Sequence, residues 1–247
     1  MSIPISAAEF SEYLYSVFEK NQLSHLLTGE KADKFLALTE RLLSENEKYN
    51  LTAITEPKKI ILNHYADCAA LALYLPEGAT VADIGCGAGF PTLPLAIVRD
   101  DLRILAVDST AKRIAYVNES ARLLGLSGVT AVAMRAEDGA KSPEHREKFD
   151  FVTARAVAEL RTLCELCLPY VKVGGKMLAM KGKNAEAELS VAGEAIRALG
   201  GSHGVCEEIN LLGDEDSFTH PIVIIDKVKK TPPQYPRPYS QISKKPL

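Results

Sequence analysis

The sequence predicts an α/β protein built on a mainly parallel sheet, and three observations carry that expectation. From about residue 80, short apolar strand-like runs alternate with helical stretches. The first run, Val81-Ala82-Asp83-Ile84, leads into the glycine-rich loop Gly85-Cys86-Gly87-Ala88-Gly89, and a helical stretch follows. The next run, Ile104-Leu105-Ala106-Val107, ends in Asp108. Parallel neighbours need helical crossovers of this length, and such crossovers cover the sheet on both faces.

Ahead of that core, residues of about 6–20 and 30–49 have helical periodicity, with Gly29 between them. In the second stretch Phe35, Leu38, Leu42 and Leu43 form an apolar stripe, while Glu40, Glu45 and Lys48 fall on other faces. Asn50-Leu51-Thr52-Ala53-Ile54-Thr55 breaks the pattern. Thr55 is placed to cap a helix of about 57–75, with Pro57 in its first turn. In that helix His64 and Asp67 are spaced i, i+3, so they share a face and are able to pair.

Strands are then expected at 80–85, 103–108, 129–135, 149–154, 176–181, about 203–212 and 220–228. Helices are expected at about 91–98, 111–124, 158–169 and 185–199. The last two strands are joined by the short acidic loop Gly213-Asp214-Glu215-Asp216, which suits an antiparallel pair closing one edge. No internal repeat is present. The expected division is a helical cap over 1–78, an α/β core over 79–228 and a basic, proline-rich tail over 229–247.

The composition sets outer limits. At 247 residues, 47% hydrophobic and 25% charged, the chain has the make-up of a globular protein able to bury a sizeable core. No apolar run approaches the roughly 20 residues of a membrane span. The start, MSIPISAAEF, has no basic segment before an apolar core, so a cytoplasmic location is expected rather than secretion. Five scattered cysteines fit a reducing compartment better than a disulfide framework. Cys164 and Cys167 form a C-x-x-C inside an apolar helical pattern without a second pair, which reads as helix core; no metal site is expected.

The net charge of −3 hides an asymmetry. From Lys227 onward the chain carries Lys227, Lys229, Lys230, Arg237, Lys244 and Lys245 and no acid, so the rest is acidic. A basic tail on an acidic body suits a local contact with a polyanion; a solvated, disordered tail is the alternative. Its prolines (Pro232, Pro233, Pro236, Pro238 and Pro246) are expected to keep it extended and non-helical.

The glycine loop carries the chemistry. Glycines let a backbone approach a ligand closely, and Asp108 is placed to accept hydrogen bonds from ribose hydroxyls. A dinucleotide fingerprint, G-x-G-x-x-G, needs glycine where this chain has Phe90. The sequence instead reads D-x-G-x-G-x-G, with Asp83 two residues before Gly85. A carboxylate there orders the loop or reaches the cationic methionine end of S-adenosylmethionine. No Lys-Ser/Thr pair follows, so a P-loop does not fit. S-adenosylmethionine is the expected cofactor; another nucleotide and a purely structural turn remain as other readings.

Three further patches fall at strand ends, where α/β sheets bind ligands. Arg135-Ala136-Glu137-Asp138 follows the third strand and offers an acid or backbone amides to an adenine. Thr153-Ala154-Arg155-Ala156 ends the fourth, near the expected methionine end. An arginine leaving a buried strand is costly unless paired, so Arg155 is expected to meet a carboxylate, a cofactor or a phosphate. Met180-Lys181-Gly182 adds a second cation at the same rim. Each residue alone also suits a structural salt bridge. The segment with Asn50, Thr52 and His64 either packs on the core or lines the mouth of the site.

These motifs together resemble the glucose-inhibited division protein B (GidB, RsmG) family of small-subunit ribosomal RNA guanine-N7 methyltransferases. The resemblance is carried by NLTAIT, the helix with His64 and Asp67, DIGCGAGFPTLPLAIV, Asp108-Ser109 with Lys112-Arg113, RAED, TARAV, MKG and the ending TPPQYPRPYSQISKKPL. It covers nearly the whole chain from about residue 35, and GFPTLPLAIV and TARAV are its most specific parts. It implies a class I S-adenosylmethionine-dependent methyltransferase fold: a Rossmann-like, seven-stranded, mostly parallel sheet with the last strand antiparallel, plus an N-terminal helical extension.

The resemblance also implies methyl transfer to N7 of one guanine in the decoding region of 16S rRNA. By position, Gly85, Gly87, Gly89 and Phe90 would form the cofactor loop with Asp83. Asp108, Ser109 and Thr110 would meet the ribose, Ala136 and Glu137 the adenine, and Arg155 the cofactor or guanine. Thr110 departs from the leucine or alanine common in the family, and the tail has fewer lysines.

Guanine N7 has an exposed lone pair, so no catalytic general base is expected. Positioning would fall to groups such as Arg155, Asn50 and His64. Asp83 and Glu137 are placed to favour the developing cation. An unstacked target suits a single-stranded loop clamped by basic residues. The candidates for RNA contact are Arg113, Arg122, Arg135, Lys181, Arg237, Lys244 and Lys245. The expected partner is 16S rRNA, in the small subunit or an assembly intermediate, met by a monomer. The rival readings are a small-molecule or protein methyltransferase on the same core, and a non-catalytic RNA-binding assembly factor.

Overall fold

Residues 4–247 are described by a computed structural model, in which the chain begins with helices. These are α1 (Ala7–Lys20), α2 (Gly29–Tyr49), α3 (Pro57–Ile60), a π turn over Ile61–Ala66, α4 (Asp67–Ala70) and a 3-10 turn over Leu71–Tyr74. At the start of α1 the Glu9 amide donates to Ser6 Oγ (3.2 Å) and the Ser6 amide donates to the Glu9 carboxylate (2.8 Å), a reciprocal cap. Thr28 caps α2. Thr55 does not cap α3: Glu56 holds that position without a side-chain bond. Pro57 opens the helix, where its missing N–H costs nothing. The single helix expected over 57–75 is instead a chain of α, π and 3-10 turns.

The sheet follows. Its strands are β1 (Thr80–Ile84), β2 (Arg103–Asp108), β3 (Val129–Ala133), β4 (Phe149–Arg155), β5 (Val171–Met180), β6 (Val205–Leu212) and β7 (Ser217–Asp226). They lie in the order β3-β2-β1-β4-β5-β7-β6. β1 to β5 run parallel, while β7 is antiparallel to both β5 and β6. The order reverses between β1 and β4, so their carboxyl ends open a crevice of the kind that takes ligands. The crossovers carry α5 (Thr92–Val98), α6 (Ala111–Leu123), α7 (Ala136–Gly139), α8 (Leu160–Cys167) and α9 (Ala185–Ala198), and α10 (Tyr239–Ile242) lies in the tail.

β5 begins five residues before the expected 176, because Gly174-Gly175 reads as a turn in sequence yet lies within the strand. The pairing with β4 slips there: Phe149 faces Val171, but Phe151 faces Lys176. A Cβ on Gly175 would stand 2.4 Å from the Asp150 carbonyl oxygen, so only glycine allows the strands this close.

One apolar core joins Phe10, Leu14, Phe18, Phe35 and Tyr65 of the N-terminal segment to Leu93, Ile104 and Val117 on one side of the sheet. The other side is covered by α8 and α9 through Leu160, Leu163, Cys167 and Ile196, with Tyr170 and Ile242. Cys164 and Cys167 are both buried there.

The tail is anchored to the body at several points, although many of its side chains are exposed, and it is not wholly extended. The Arg146 guanidinium donates to the carbonyls of Thr231 (2.9 Å), Pro232 (3.2 Å) and Tyr235 (2.8 Å). Arg161 donates to the Pro246 carbonyl (2.8 Å) and to a backbone oxygen of Leu247. Two arginines of the body thus take up carbonyls that the prolines leave without ladder partners. Lys227, counted with the basic tail, is buried; its ammonium donates to the Leu168 carbonyl at 2.6 Å, and burial pushes its pKa down to about 8. Among the described residues no helix is long and apolar enough to cross a membrane.

Candidate cofactor and substrate site

A cleft of about 280 Å³ opens at the carboxyl ends of β1 to β4. Gly85, Asp108, Ser109, Thr110, Ala136 and Glu137 line it, with Arg113 and Arg135 exposed at its edge. The amides of Gly85 and Cys86 both donate to the Val107 carbonyl (2.7 and 3.0 Å), which folds the loop back over β2. Asp108 is held by two backbone donors: the Gly87 amide reaches Oδ2 at 3.1 Å and the Thr110 amide Oδ1 at 2.8 Å. Arg113 stands 3.6 Å from the same carboxylate.

Gly85, Gly87 and Gly89 all have positive φ (74°, 55° and 85°). A Cβ on Gly85 would come within 2.6 Å of Val157 Cγ2, so the loop and the end of β4 meet with no space for a side chain. Such a cradle, with the carboxylates of Asp108 and Glu137 in its walls, suits a nucleoside with free ribose hydroxyls better than a polyphosphate. The residues present therefore fit S-adenosylmethionine.

Asp83 does not face this cleft. It is buried, and its carboxylate accepts hydrogen bonds from Thr92 Oγ1 (2.6 Å) and Thr153 Oγ1 (3.2 Å). Burial raises its pKa to about 6 against those two hydroxyls. Its action on the loop is through β1 and α5 rather than by touch.

Beside the cleft lies a second cluster built on Arg155. Its guanidinium Nη1 stands 3.2 Å from Asp67 Oδ2 and donates to Cys68 Sγ, also at 3.2 Å. Nη2 donates to the Asn63 carbonyl (3.0 Å) and to His64 Nδ1 (2.7 Å). Because arginine only donates, His64 Nδ1 must accept, and the His64 proton sits on Nε2 and points to Thr52 Oγ1 at 3.1 Å. Burial first, then the Arg155 charge, depress the His64 pKa to about 3, so the ring stays neutral. The His64 ring stacks on Phe90 at 4.4 Å between centroids, and the Arg155 guanidinium lies 5.9 Å from the centre of the Phe90 ring. Asp67 is shared with His220, whose Nδ1 is 2.8 Å from Oδ1.

His64 and Asp67 do not pair with each other; Arg155 sits between them and bonds both. Both Nη atoms of Arg155 are engaged by protein groups, so it orders the cluster rather than reaching into the cleft. Phe90 faces His64 and not the cleft. Asn50 is exposed at the end of α2, in a left-handed C-cap with φ 49°. Of the basic candidates, Lys181 is buried, donating to the Ala158 carbonyl (2.6 Å) and pairing with Glu188 (2.7 Å). Arg237 is bound by Glu165 at 2.6 Å. Arg122 is exposed but paired with Glu119, while Lys244 and Lys245 are exposed on the tail.

The partners that sequence reasoning missed are Thr92, Thr153, Cys68, the Asn63 carbonyl and His220. A π turn often marks functional positions, yet its irregular hydrogen bonds leave no periodic trace in sequence. His220 comes from a strand 153 residues beyond Asp67.

A sheet of this order, with a glycine loop after β1 and an acid closing β2, defines the fold of S-adenosylmethionine-dependent methyltransferases. Solved structures agree on the fold. A SAM-dependent O-methyltransferase from Thermotoga maritima superposes with a TM-score of 0.53 at 18% identity, over 77% of this chain and 72% of that one. A precorrin-6y C5,15-methyltransferase from Geobacter metallireducens does so with 0.51 at 16% identity, over 74% and 96%.

The family is narrower. The model of the GidB family, described as rRNA small subunit methyltransferase G, matches residues 30–211. A ribosomal RNA small subunit methyltransferase G from Clostridium perfringens is 44% identical over 220 residues, 88% of this chain and 91% of that protein. One from Lactobacillus delbrueckii is 43% identical over 225 residues, 90% and 93% respectively. The chain belongs to the GidB family.

Proposed function

We propose that this protein methylates N7 of a guanine in 16S ribosomal RNA, using S-adenosylmethionine, as a monomer in the cytoplasm. The observation that carries the reading is the juxtaposition of the Asp108 cleft with the Arg155–His64–Phe90 cluster in a chain of this family. The α/β core over 79–228 would hold the donor, while the helical cap over 1–78 and the tail over 229–247 border it.

When bound, the cofactor supplies an electrophilic methyl on a sulfonium. Asp108, with its two backbone donors fixing its orientation, would accept from the ribose hydroxyls. Ala136 and Glu137 would border the base, and the glycine loop would let the backbone lie against the ligand. Arg155, pinned by Asp67 and the Asn63 carbonyl, locks the His64 ring on Phe90 and so shapes the wall next to the reacting centre. His64 is neutral, with both ring nitrogens engaged, so it is unsuited to take a proton. None needs taking, because N7 attacks with a lone pair. Arg113, Arg135, Lys244 and Lys245 are the exposed cations suited to the phosphates around an unstacked base.

The test is genetic. 16S RNA from a strain deleted for this gene should lack N7-methylguanosine, and the wild-type gene should restore it where a Gly85→Asp variant does not. Undiminished modification in the deletion strain would overturn the proposal.

A further inference from the structure

We propose that Tyr239, carried by the C-terminal tail, forms a face of the adenine pocket, so that the tail completes the cofactor site. The inference rests on the methyl-donor reading of the cleft and adds to it a residue beyond the stretch that the family model matches.

Tyr239 lines the same cleft as Asp108, Ala136, Glu137 and Leu166, and the residue is 42% exposed. What sets Tyr239 apart from the equally exposed Tyr15 and Tyr49 is its place in the cleft wall, where a π face is available to a planar ligand. Its neighbours in the chain are fixed on both sides. Before it, Glu165 accepts from the Arg237 amide (2.8 Å), from Nε (2.9 Å) and from Nη2 (2.6 Å), and Glu165 itself is fully buried. After it, Ile242 is fully buried in the core beneath α8 and α9. Between these anchors Pro238 precedes the one-turn α10, and its carbonyl accepts from the Gln241 and Ile242 amides (2.8 and 3.2 Å). Arg161 then holds the chain end through the Pro246 carbonyl.

The clamp and the cleft wall are successive residues of one helix: Glu165 grips the tail and Leu166 lines the cleft. The tail therefore enters the cleft from the α8 side. Asp108 marks the ribose, so the next strand end, at Ala136 and Glu137, marks the base. An adenine needs polar groups at its edge and flat surfaces on its faces. Ala136 and Glu137 border the edge, Leu166 offers an apolar surface and Tyr239 a π face. Prolines around the ring reduce the freedom lost when it is held in place.

Calorimetric titration of the full chain with S-adenosylhomocysteine, and separately with adenosine, tests this. Tyr239→Ala should weaken both ligands about tenfold, the loss of one stacked base, while Tyr239→Phe keeps affinity within about twofold. The ring is part-exposed, so both variants should melt with the wild type. Equal affinity in wild type and Tyr239→Ala would overturn the inference and leave the methyl-donor reading standing. A wild-type chain that binds neither ligand would overturn both. Loss of affinity in Tyr239→Phe as well would contradict stacking as the cause.

Discussion

Arg155, at the end of β4, places Nη1 3.2 Å from Oδ2 of Asp67, which is fully buried in the N-terminal segment. The pair ties the sheet to that segment at the point where the candidate substrate wall is built. Removing one partner of a buried pair leaves the other charged and desolvated, at a cost of about 3–5 kcal/mol. Asp67→Ala should lower unfolding stability by that order, read from urea denaturation. Stability unchanged within about 1 kcal/mol would contradict the role of the pair.

The same cluster predicts a split between binding and turnover. Arg155 does not line the cleft, and a lysine offers one ammonium in place of two forked Nη groups. Arg155→Lys should slow methyl transfer by at least about tenfold, while S-adenosylhomocysteine affinity stays within about threefold. Equal losses in both would place Arg155 in cofactor binding.

Two buried groups should set opposing pH slopes. His64 has its folded pKa depressed from 6.5 to about 3, mainly by burial. The unfolded chain takes up that proton first, so this contribution is complete above about pH 6.5 and is lost as pH falls toward 3. Asp83 is raised from 3.8 to about 6, again mainly by burial. The folded chain holds that proton longer, so its contribution is complete below about pH 3.8 and is lost as pH rises through 6. Between about pH 4 and 6, Asp83→Asn should make stability rise more steeply with pH than in wild type, and His64→Gln should make it fall. Each change should be about 2 kcal/mol across the window. Urea midpoints with the wild-type slope in both variants would refute these burial effects.

The loop contact predicts a paired effect. Gly85→Ala puts a Cβ 2.6 Å from Val157 Cγ2 at a φ of 74°, and should weaken S-adenosylhomocysteine binding about tenfold. Adding Val157→Ala removes the collision but not the backbone strain, so it should recover part of the loss. No recovery would mean that φ alone decides the site.

Much of this fold was legible because its signals are local. A strand must run into the glycine loop for the loop to work, and Asp108 closes the next strand, so the cleft could be read directly from order and spacing. Other features depend on distant partners. Arg155 was recognisable as a costly cation, but its acceptors are about 90 residues away, on a π turn with no sequence period. Gly174-Gly175 resembled a turn because nothing nearby records the approach of the Asp150 carbonyl. The tail looked solvated because its prolines and charges dominate its composition, whereas Arg146, Arg161 and Glu165, which hold it, lie in the body of the chain.

Methyl transfer by the purified protein to 16S RNA from the deletion strain tests the central claim most directly. The RNA is digested to nucleosides and analysed by mass spectrometry after incubation with S-adenosylmethionine. The account predicts one new N7-methylguanosine per RNA, absent with Gly85→Asp. No methylated nucleoside, or a methyl group at another guanine atom, would contradict it.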